Sequence, residues 1–249
     1  MNQLLLRGKN LSRQWGGLLA VNQVNIEIFL GKIHAVIGTN GAGKSTLINL
    51  LAGEIPLSSG SVELLEQDVS VWSEPRRAHL GLGKSFQKNT IFPDLSVFEN
   101  CRLAAQARYQ RPWKFWETGE SCTHSRTQAQ KVLLKTGLHV LSEKKAGLLS
   151  HGQKRQLEVA MCLATNPKVL LLDEPLAGMG AEETNRMLNF LNELRAEHGI
   201  LLVEHDMDAV FKVADVITVM VNGAVIACGT PSEIKDNNDV QIAYLGVAS

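Results

Sequence analysis

The chain is predicted to be an α/β protein, a parallel sheet covered on both faces by helices, with one helical insertion. Three observations carry this. A glycine-rich loop, Gly38-Thr39-Asn40-Gly41-Ala42-Gly43-Lys44-Ser45, stands between an apolar run and a helical pattern. Three short apolar segments, Val169–Leu172, Gly199–Val203 and Val216–Met220, follow late in the chain, with an amphipathic helix between the first two. Between Gln87 and Asn166 strand patterns vanish and helical ones take their place.

Taken in order, Leu4-Leu5-Leu6 and Val24–Ile28 read as strands on either side of a turn at Gly16-Gly17. Gly31-Lys32 turns the chain into the buried strand Ile33–Ile37, and Thr46–Ala52 reads as the helix beyond the glycine loop. Pro56 and Ser58-Ser59-Gly60 break the pattern, and Gly60–Leu64 is expected to be an edge strand. Helices are predicted over Val97–Arg108, Ser125–Thr136, Gln153–Thr165 and Glu182–Arg195. Tyr109–Thr123, aromatic, polar and broken by Pro112 and Gly119, is expected to be a surface excursion. The division is a single domain, with residues 1–86 and 167–249 as the core and 87–166 as a helical subdomain.

The loop matches G-x-x-x-x-G-K-[ST] in the context the chemistry needs. Strand, glycine loop and helix bring backbone N–H groups and a helix N-terminus onto phosphate. Glycines at 38, 41 and 43 let the loop curl and approach a ligand closely. Lys44 is expected at the β and γ phosphates and the Ser45 hydroxyl at Mg²⁺. The chain is therefore expected to bind a nucleoside triphosphate. A second site follows Val169–Leu172, where Asp173-Glu174-Pro175 puts a carboxylate at the carboxyl end of a core strand, the edge where such sheets bind ligands. Asp173 suits Mg²⁺, held largely through water. Glu174 points elsewhere, toward the water that attacks the γ-phosphate.

Composition narrows the partners. Lys plus Arg and Asp plus Glu are 25 each, so no global basic field favours nucleic acid. Cys101, Cys122, Cys162 and Cys228 form no C-x-x-C pair, and buried, reduced thiols are expected rather than zinc or disulfides. No run approaches the roughly 20 apolar residues that span a bilayer, and the N-terminus has no signal architecture. The expectation is a soluble chain inside the cell that reaches a membrane through a partner.

With these motifs together, the chain resembles the ATP-binding cassette (ABC) ATPases, the motor subunits of ABC transporters, over essentially its whole length. Leu149-Ser150-His151-Gly152-Gln153 is similar to the family's signature L-S-G-G-Q, with His in place of one Gly. The resemblance implies a P-loop NTPase core with an antiparallel β subdomain and an inserted helical subdomain. It implies that Gly38, Asn40, Gly41, Gly43, Lys44, Ser45 and Thr46 hold the phosphates of ATP, and that Ser150, Gly152 and Gln153 grip ATP bound to an opposing cassette. Gln87 matches the glutamine that touches Mg²⁺ and the attacking water, completing a metal set with Ser45 and Asp173. His205, in Val203-Glu204-His205-Asp206, matches the switch histidine, so the catalytic set is Glu174, His205 and Gln87. Trp15 matches the aromatic that stacks on adenine.

The match falters after Pro175. The family usually continues T-S-A-L-D, the D-loop; here it is Leu176-Ala177-Gly178-Met179-Gly180. Within the family, the signature segment, Asp173–Met179 and Ala243-Tyr244-Leu245-Gly246 look like the importer ATPases for branched-chain amino acids. The urea importers share the S-H-G-Q variant and are the alternative. The resemblance implies a second cassette, the same chain or a different one, transmembrane permease subunits, a periplasmic binding protein, and a place on the cytoplasmic face of the inner membrane. Ile91, Phe92 and Leu95 fall where the family docks a membrane subunit, although packing inside the helical subdomain would account for them equally. Cassettes that act on nucleic acid usually carry a coiled-coil insertion or a second cassette, and neither pattern is present.

Overall fold

The computed structural model describes residues 3–85, 91–109 and 123–245. Two 12-residue strands, β1 (Leu4–Trp15) and β2 (Leu18–Phe29), pair antiparallel about Gly16-Gly17. They run well beyond the apolar segments that announce them, because their distal halves carry exposed polar side chains and register shifts around Asn10 and Gln23, both at positive φ. β3 (Ile33–Gly38) leads through the glycine loop into α1 (Lys44–Ala52). β4 (Ser59–Leu64) pairs with β1 on one side and with β5 (Gln67–Asp68) on the other, so Gly60–Leu64 is not an edge strand. The two polar residues of β5 carry no strand pattern that would have revealed this. The four strands form one antiparallel sheet, ordered β2-β1-β4-β5.

α2 (Glu74–Leu80) precedes β6 (Leu82–Lys84), and the helical region follows as α3 (Val97–Tyr109), α4 (Thr123–Lys135) and α5 (His151–Ala164). Then come β7 (Val169–Asp173), α6 (Ala181–Leu194), β8 (Gly199–Val203), α7 (Met207–Val213), β9 (Val216–Val221), β10 (Ala224–Gly229), α8 (Pro231–Lys235) and α9 (Asn238–Leu245). The second sheet is ordered β10-β9-β3-β8-β7-β6, parallel except for β10.

Period-two alternation in fully buried strands decides the layering. In β7, Leu170 and Leu172 face a core shared with α3, α4, α5 and α6, while Val169 and Leu171 face a core shared with α1 and the antiparallel sheet. β8 divides the same way, Ile200 and Leu202 to the first and Leu201 and Val203 to the second. The helical region is thus continuous with the sheet's own core. Cys101 and Cys162 lie in it, and burial pushes both thiols up to about 12. Cys228 departs from the expectation of buried thiols: β10 is partly exposed, and Cys228 with it. Cys122 lies outside the described residues.

Behind the glycine loop, Arg77 of α2 is 1% exposed and donates to the carbonyls of Leu50, Leu51, Ser70 and Trp72. Its guanidinium closes the C-terminal end of α1, where unpaired carbonyls and the helix dipole favour a cation. α1 is therefore anchored at the end away from the glycine loop. Among the described residues, no helix is long and apolar enough to cross a membrane.

Candidate nucleotide-binding site

The site is built on three adjacent strands. β8 lies between β3 and β7, and Val36, Val203 and Asp173 stand in one row across them. The loops leaving this row carry Lys44, His205 and Glu174, so residues more than a hundred positions apart converge at one sheet edge.

The glycine loop is held by backbone. Gly41 and Gly43 have φ of 81° and 98°, which favours glycine. A Cβ at Gly43 would stand 2.3 Å from the Ala20 carbonyl oxygen, and one at Gly38 would stand 2.4 Å from that of Met220. The Gly223 N–H donates to Ala42 at 3.0 Å and the Asn22 N–H to Gly223 at 2.8 Å, tying the loop to the β9–β10 turn and to β2. Gly43 caps α1 with no side-chain hydrogen bond and no acid in the first turn, which leaves first-turn N–H groups for an anion. Asn40 and Gly41 are exposed; Ser45 and Thr46 are half-buried in that turn. Lys44 is buried, and its Nζ donates to the carbonyls of Gly38 at 2.7 Å and Thr39 at 3.1 Å. Burial lowers its pKa, while Glu174 and Asp173 raise it.

Asp173 is buried at the end of β7. Its N–H donates to the Ser85 hydroxyl at 3.2 Å, and the Ser45 hydroxyl hydrogen-bonds its carboxyl. Burial first, then the neighbouring Glu174, raises its pKa; Ser45, Lys84 and Lys44 oppose this. Asp173 Oδ1 is buried with no hydrogen-bond partner. An unpartnered carboxylate oxygen beside a hydroxyl is a donor set suited to a hard cation such as Mg²⁺. No group of three His, Cys, Asp or Glu that could hold a metal occurs among the described residues, but Mg²⁺ that keeps phosphate and water ligands needs only one or two protein groups.

Glu174 turns away from the strand at φ 51°, a left-handed conformation unusual for a non-glycine residue, with its N–H donating to Val203 at 2.9 Å. A continuing strand would carry the two consecutive carboxylates to opposite faces; with this reversal both act on Lys44, and Glu174 acts on Asp173. His205 is exposed just past β8, its Nδ1 4.0 Å from Glu204 Oε2. Gln87 lies outside the described residues; β6 and Ser85, which lead to it, pair with β7. Trp15 ends β1 at 43% exposure, with the Arg13 guanidinium 4.9 Å from its ring centre. Its hairpin continues to Ala20, whose carbonyl backs Gly43, so the ring stands on the strand pair that supports the phosphate loop.

Sequence reasoning passed over Glu204. It is fully buried; Leu176 N–H donates to its Oε1 at 2.8 Å, and Oε2 has no hydrogen-bond partner. Burial raises its pKa to about 7 against the pull of the Leu176 and His205 backbone hydrogen bonds. The acid stands beside His205 in the sequence, but its burial follows from the packing of the 174–176 turn.

The signature residues have other neighbours. Ser150 caps the 14-residue helix α5 in a capping box: its Oγ accepts from Gln153 N–H, and Gln153 Oε1 accepts from Ser150 N–H. Ser150 Oγ also lies 3.4 Å from Glu183 Oε1, and a Cβ on Gly152 would stand 2.5 Å from the same carboxylate. Ser150, Gly152 and Gln153 thus gather with the first turn of α6, apart from the row that carries Lys44, Asp173 and Glu174.

A model of the ABC transporter family matches residues 21–177, more than half of the chain. The chain belongs to the ABC transporter ATPases. A further model, of the branched-chain amino acid ATP-binding cassette transporter, matches residues 224–249. The cassette is similar to the high-affinity branched-chain amino acid transport ATP-binding protein LivG of Escherichia coli (strain K12), 37% identical over 256 residues and covering 100% of both chains. A nucleotide-free ATP-binding cassette from an ABC transporter superposes with a TM-score of 0.88 at 28% identity, covering 99% of this chain and 100% of that one. The ADP conformation of the cassette MJ1267 gives 0.86 at 29% identity, covering 98% and 100%. The cassette is an ATP-binding protein and an ATPase that powers transport.

Proposed function

We propose that the cassette is the ATP-hydrolysing subunit of a branched-chain amino acid importer. The observation that carries this is the full-length similarity to LivG, reinforced by the match over residues 224–249. A second cassette, permease subunits and, indirectly, a periplasmic binding protein complete the assembly, which puts the cassette on the cytoplasmic face of the inner membrane. No nucleic acid takes part.

The division of labour follows from the site. Gly38, Asn40, Gly41, Gly43, Ser45, Thr46 and Lys44 hold the phosphates of ATP, and Trp15 stacks on the base. Ser45, Asp173 and Gln87 would hold Mg²⁺, whose chemistry there is to neutralise charge on the phosphate oxygens. Glu174 takes a proton from the attacking water, His205 contacts the γ-phosphate, and Gln87 helps to orient the water. Ser150, Gly152 and Gln153 meet ATP held by the opposing cassette, so that ATP draws the two together and its hydrolysis lets them part. Residues 1–86 and 167–249 act as the core of this single domain and 87–166 as its helical arm. Within the arm, Phe92 is 51% exposed and Leu95 half-buried, while Ile91 packs against the core, so among the described residues Phe92 and Leu95 offer an apolar surface to a membrane subunit. Uptake of labelled leucine by cells lacking this gene, restored with wild type or Glu174→Gln, tests the reading. Rescue by wild type alone supports it; undiminished uptake in the deletion strain, with other leucine systems removed, overturns the substrate.

A further inference from the structure

Two departures from the family pattern touch each other. In the signature, His151 stands where glycine is usual; after Asp173-Glu174-Pro175, the D-loop reads Leu176-Ala177-Gly178-Met179-Gly180. His151 Nε2 lies 3.1 Å from the Ala177 carbonyl oxygen. A carbonyl only accepts, so this bond requires a proton on Nε2. The Nε2–Cδ2 edge of the ring abuts Gly178: a Cβ there would stand 2.7 Å from Nε2 and 2.8 Å from Cδ2. Gly178 also has φ of 74°, so glycine at this position answers both the backbone and the imidazole. A β-carbon at 178 would crowd the imidazole, and glycine at 151 would leave the Ala177 carbonyl without this donor.

The contact joins two parts that serve different nucleotides. Ser150 precedes His151 and faces the ATP of the opposing cassette in the proposed function. Ala177 follows Glu174 by one turn: its N–H donates to the Glu174 carbonyl at 3.2 Å, and that of Met179 to Leu176 at 3.1 Å. Leu176 is held in turn by Glu204. A short path of hydrogen bonds therefore runs from the signature, through the imidazole and one turn of backbone, to the acid of this chain's own ATP site.

We propose that His151 is a positioning residue that locks the signature to the D-loop, so that each cassette's grip on its partner's ATP sets the placement of its own Glu174. The proposal rests on the dimeric cycle of the proposed function. In chains with glycine at this position the side-chain link is absent; here the imidazole supplies it.

The test uses the full chain with its partner cassette and membrane subunits, comparing wild type, His151→Gly, His151→Gln, Gly178→Ala and the double variant His151→Gly/Gly178→Ala. Loss of one hydrogen bond that positions the acid is expected to lower kcat about fivefold in His151→Gly. The KM for ATP should stay within about twofold, because no group that binds this chain's own nucleotide is removed. His151→Gln, which keeps an N–H donor, should recover part of the loss. The strain of Gly178→Ala at positive φ is common to both backgrounds, so the clash with the ring is isolated by the cycle: Gly178→Ala should lower kcat by a smaller factor when His151 is glycine. Amide hydrogen exchange of residues 176–180 in the full chain without nucleotide reads the lock directly, and is expected to quicken in His151→Gly. Unchanged exchange there, or equal effects of Gly178→Ala in both backgrounds, overturns the proposal. Failure of wild type to hydrolyse ATP would strike the proposed function instead, and the exchange would still decide whether the lock exists.

Discussion

The strand-edge half of the site and the signature half are built on opposite terms. At the strand edge, Lys44 and Asp173 are buried, Asp173 Oδ1 has no hydrogen-bond partner, and Glu174 is held at positive φ. At the signature, Ser150 is an exposed helix cap whose oxygen is already engaged by Gln153 N–H, with Glu183 at its side. One half stores desolvated charge and backbone strain that a ligand can relieve; the other is locally satisfied and relieves nothing by itself. This difference teaches where chemistry is prepared in advance and where a second molecule must supply the remainder. Substitutions at the strand edge should therefore damage nucleotide binding inside a single chain, and those at Ser150 and Gln153 should affect ATP only in the assembly.

The largest effect that would sharpen this contrast belongs to Glu174. Replacing a positioned general base with an amide of the same shape should lower turnover by roughly 10²–10⁴-fold. ATP-dependent association of cassettes should persist, since no phosphate-binding group changes. Steady-state turnover and gel filtration with ATP check this, and near-normal hydrolysis would remove Glu174 as the base.

Glu204 gives the next effect and a sign that can be worked out. Its carboxyl titrates at about 7 in the folded chain against an ordinary value of 4.5. Between those values the folded chain holds a proton that the unfolded chain has released, so stability falls as pH rises through that window. Glu204→Gln cannot ionise and escapes the loss. Relative to wild type, the variant should gain on the order of 3 kcal/mol between pH 4.5 and pH 8. Urea unfolding at the two pH values measures it. A constant difference would mean that burial leaves this acid ordinary, and would weaken the contrast between the halves.

Lys44→Ala tests the strand edge through binding. Hydrogen bonds from a charged group contribute about 1.5–3 kcal/mol, so affinity for ATP should fall by roughly 10–150-fold. Titration with a fluorescent ATP analogue reads the change, and unaltered affinity would sink the assignment of the loop.

The same physical distinction governs what was legible in the amino acids. β3, β7 and β8 announce themselves because strands buried on both faces read as continuous apolar runs, and the glycine loop is legible because its function needs fixed spacing. Asp173 and Glu174 follow from the run that ends in them. Other features depend on contacts distant in sequence. The polar pair of β5 gives no sign that it covers β4, and the far halves of β1 and β2 alternate too irregularly to be followed. Arg77 reads as a surface charge until α1 is seen to end against it. Glu204 and His151 were visible as residues, but their burial and contact depend on a turn, 174–178, whose path no local pattern encodes.

Trp15 is the smallest and most discriminating case, because it belongs to neither half by burial. Its ring is exposed and already meets the Arg13 guanidinium, a contact that alone would make it a surface ornament of the hairpin. Its strand nevertheless pairs with the one whose Ala20 carbonyl backs Gly43, so anything stacked on the ring sits on the strand pair that supports the phosphate loop. Stacking on an aromatic face is worth about 0.5–1.5 kcal/mol beyond the area it buries. Trp15→Ala should therefore weaken ATP by about two- to twelvefold, while Trp15→Tyr, which keeps a π face, should restore most of it. The loss should be nearly the same for ADP and ATP, since the base is common to both; Lys44→Ala should weaken ATP more, because its partner phosphates differ. A Trp15→Ala variant that discriminates between the two nucleotides would mean that the hairpin acts on the phosphate loop through its backbone, and would place Trp15 with the strand edge after all.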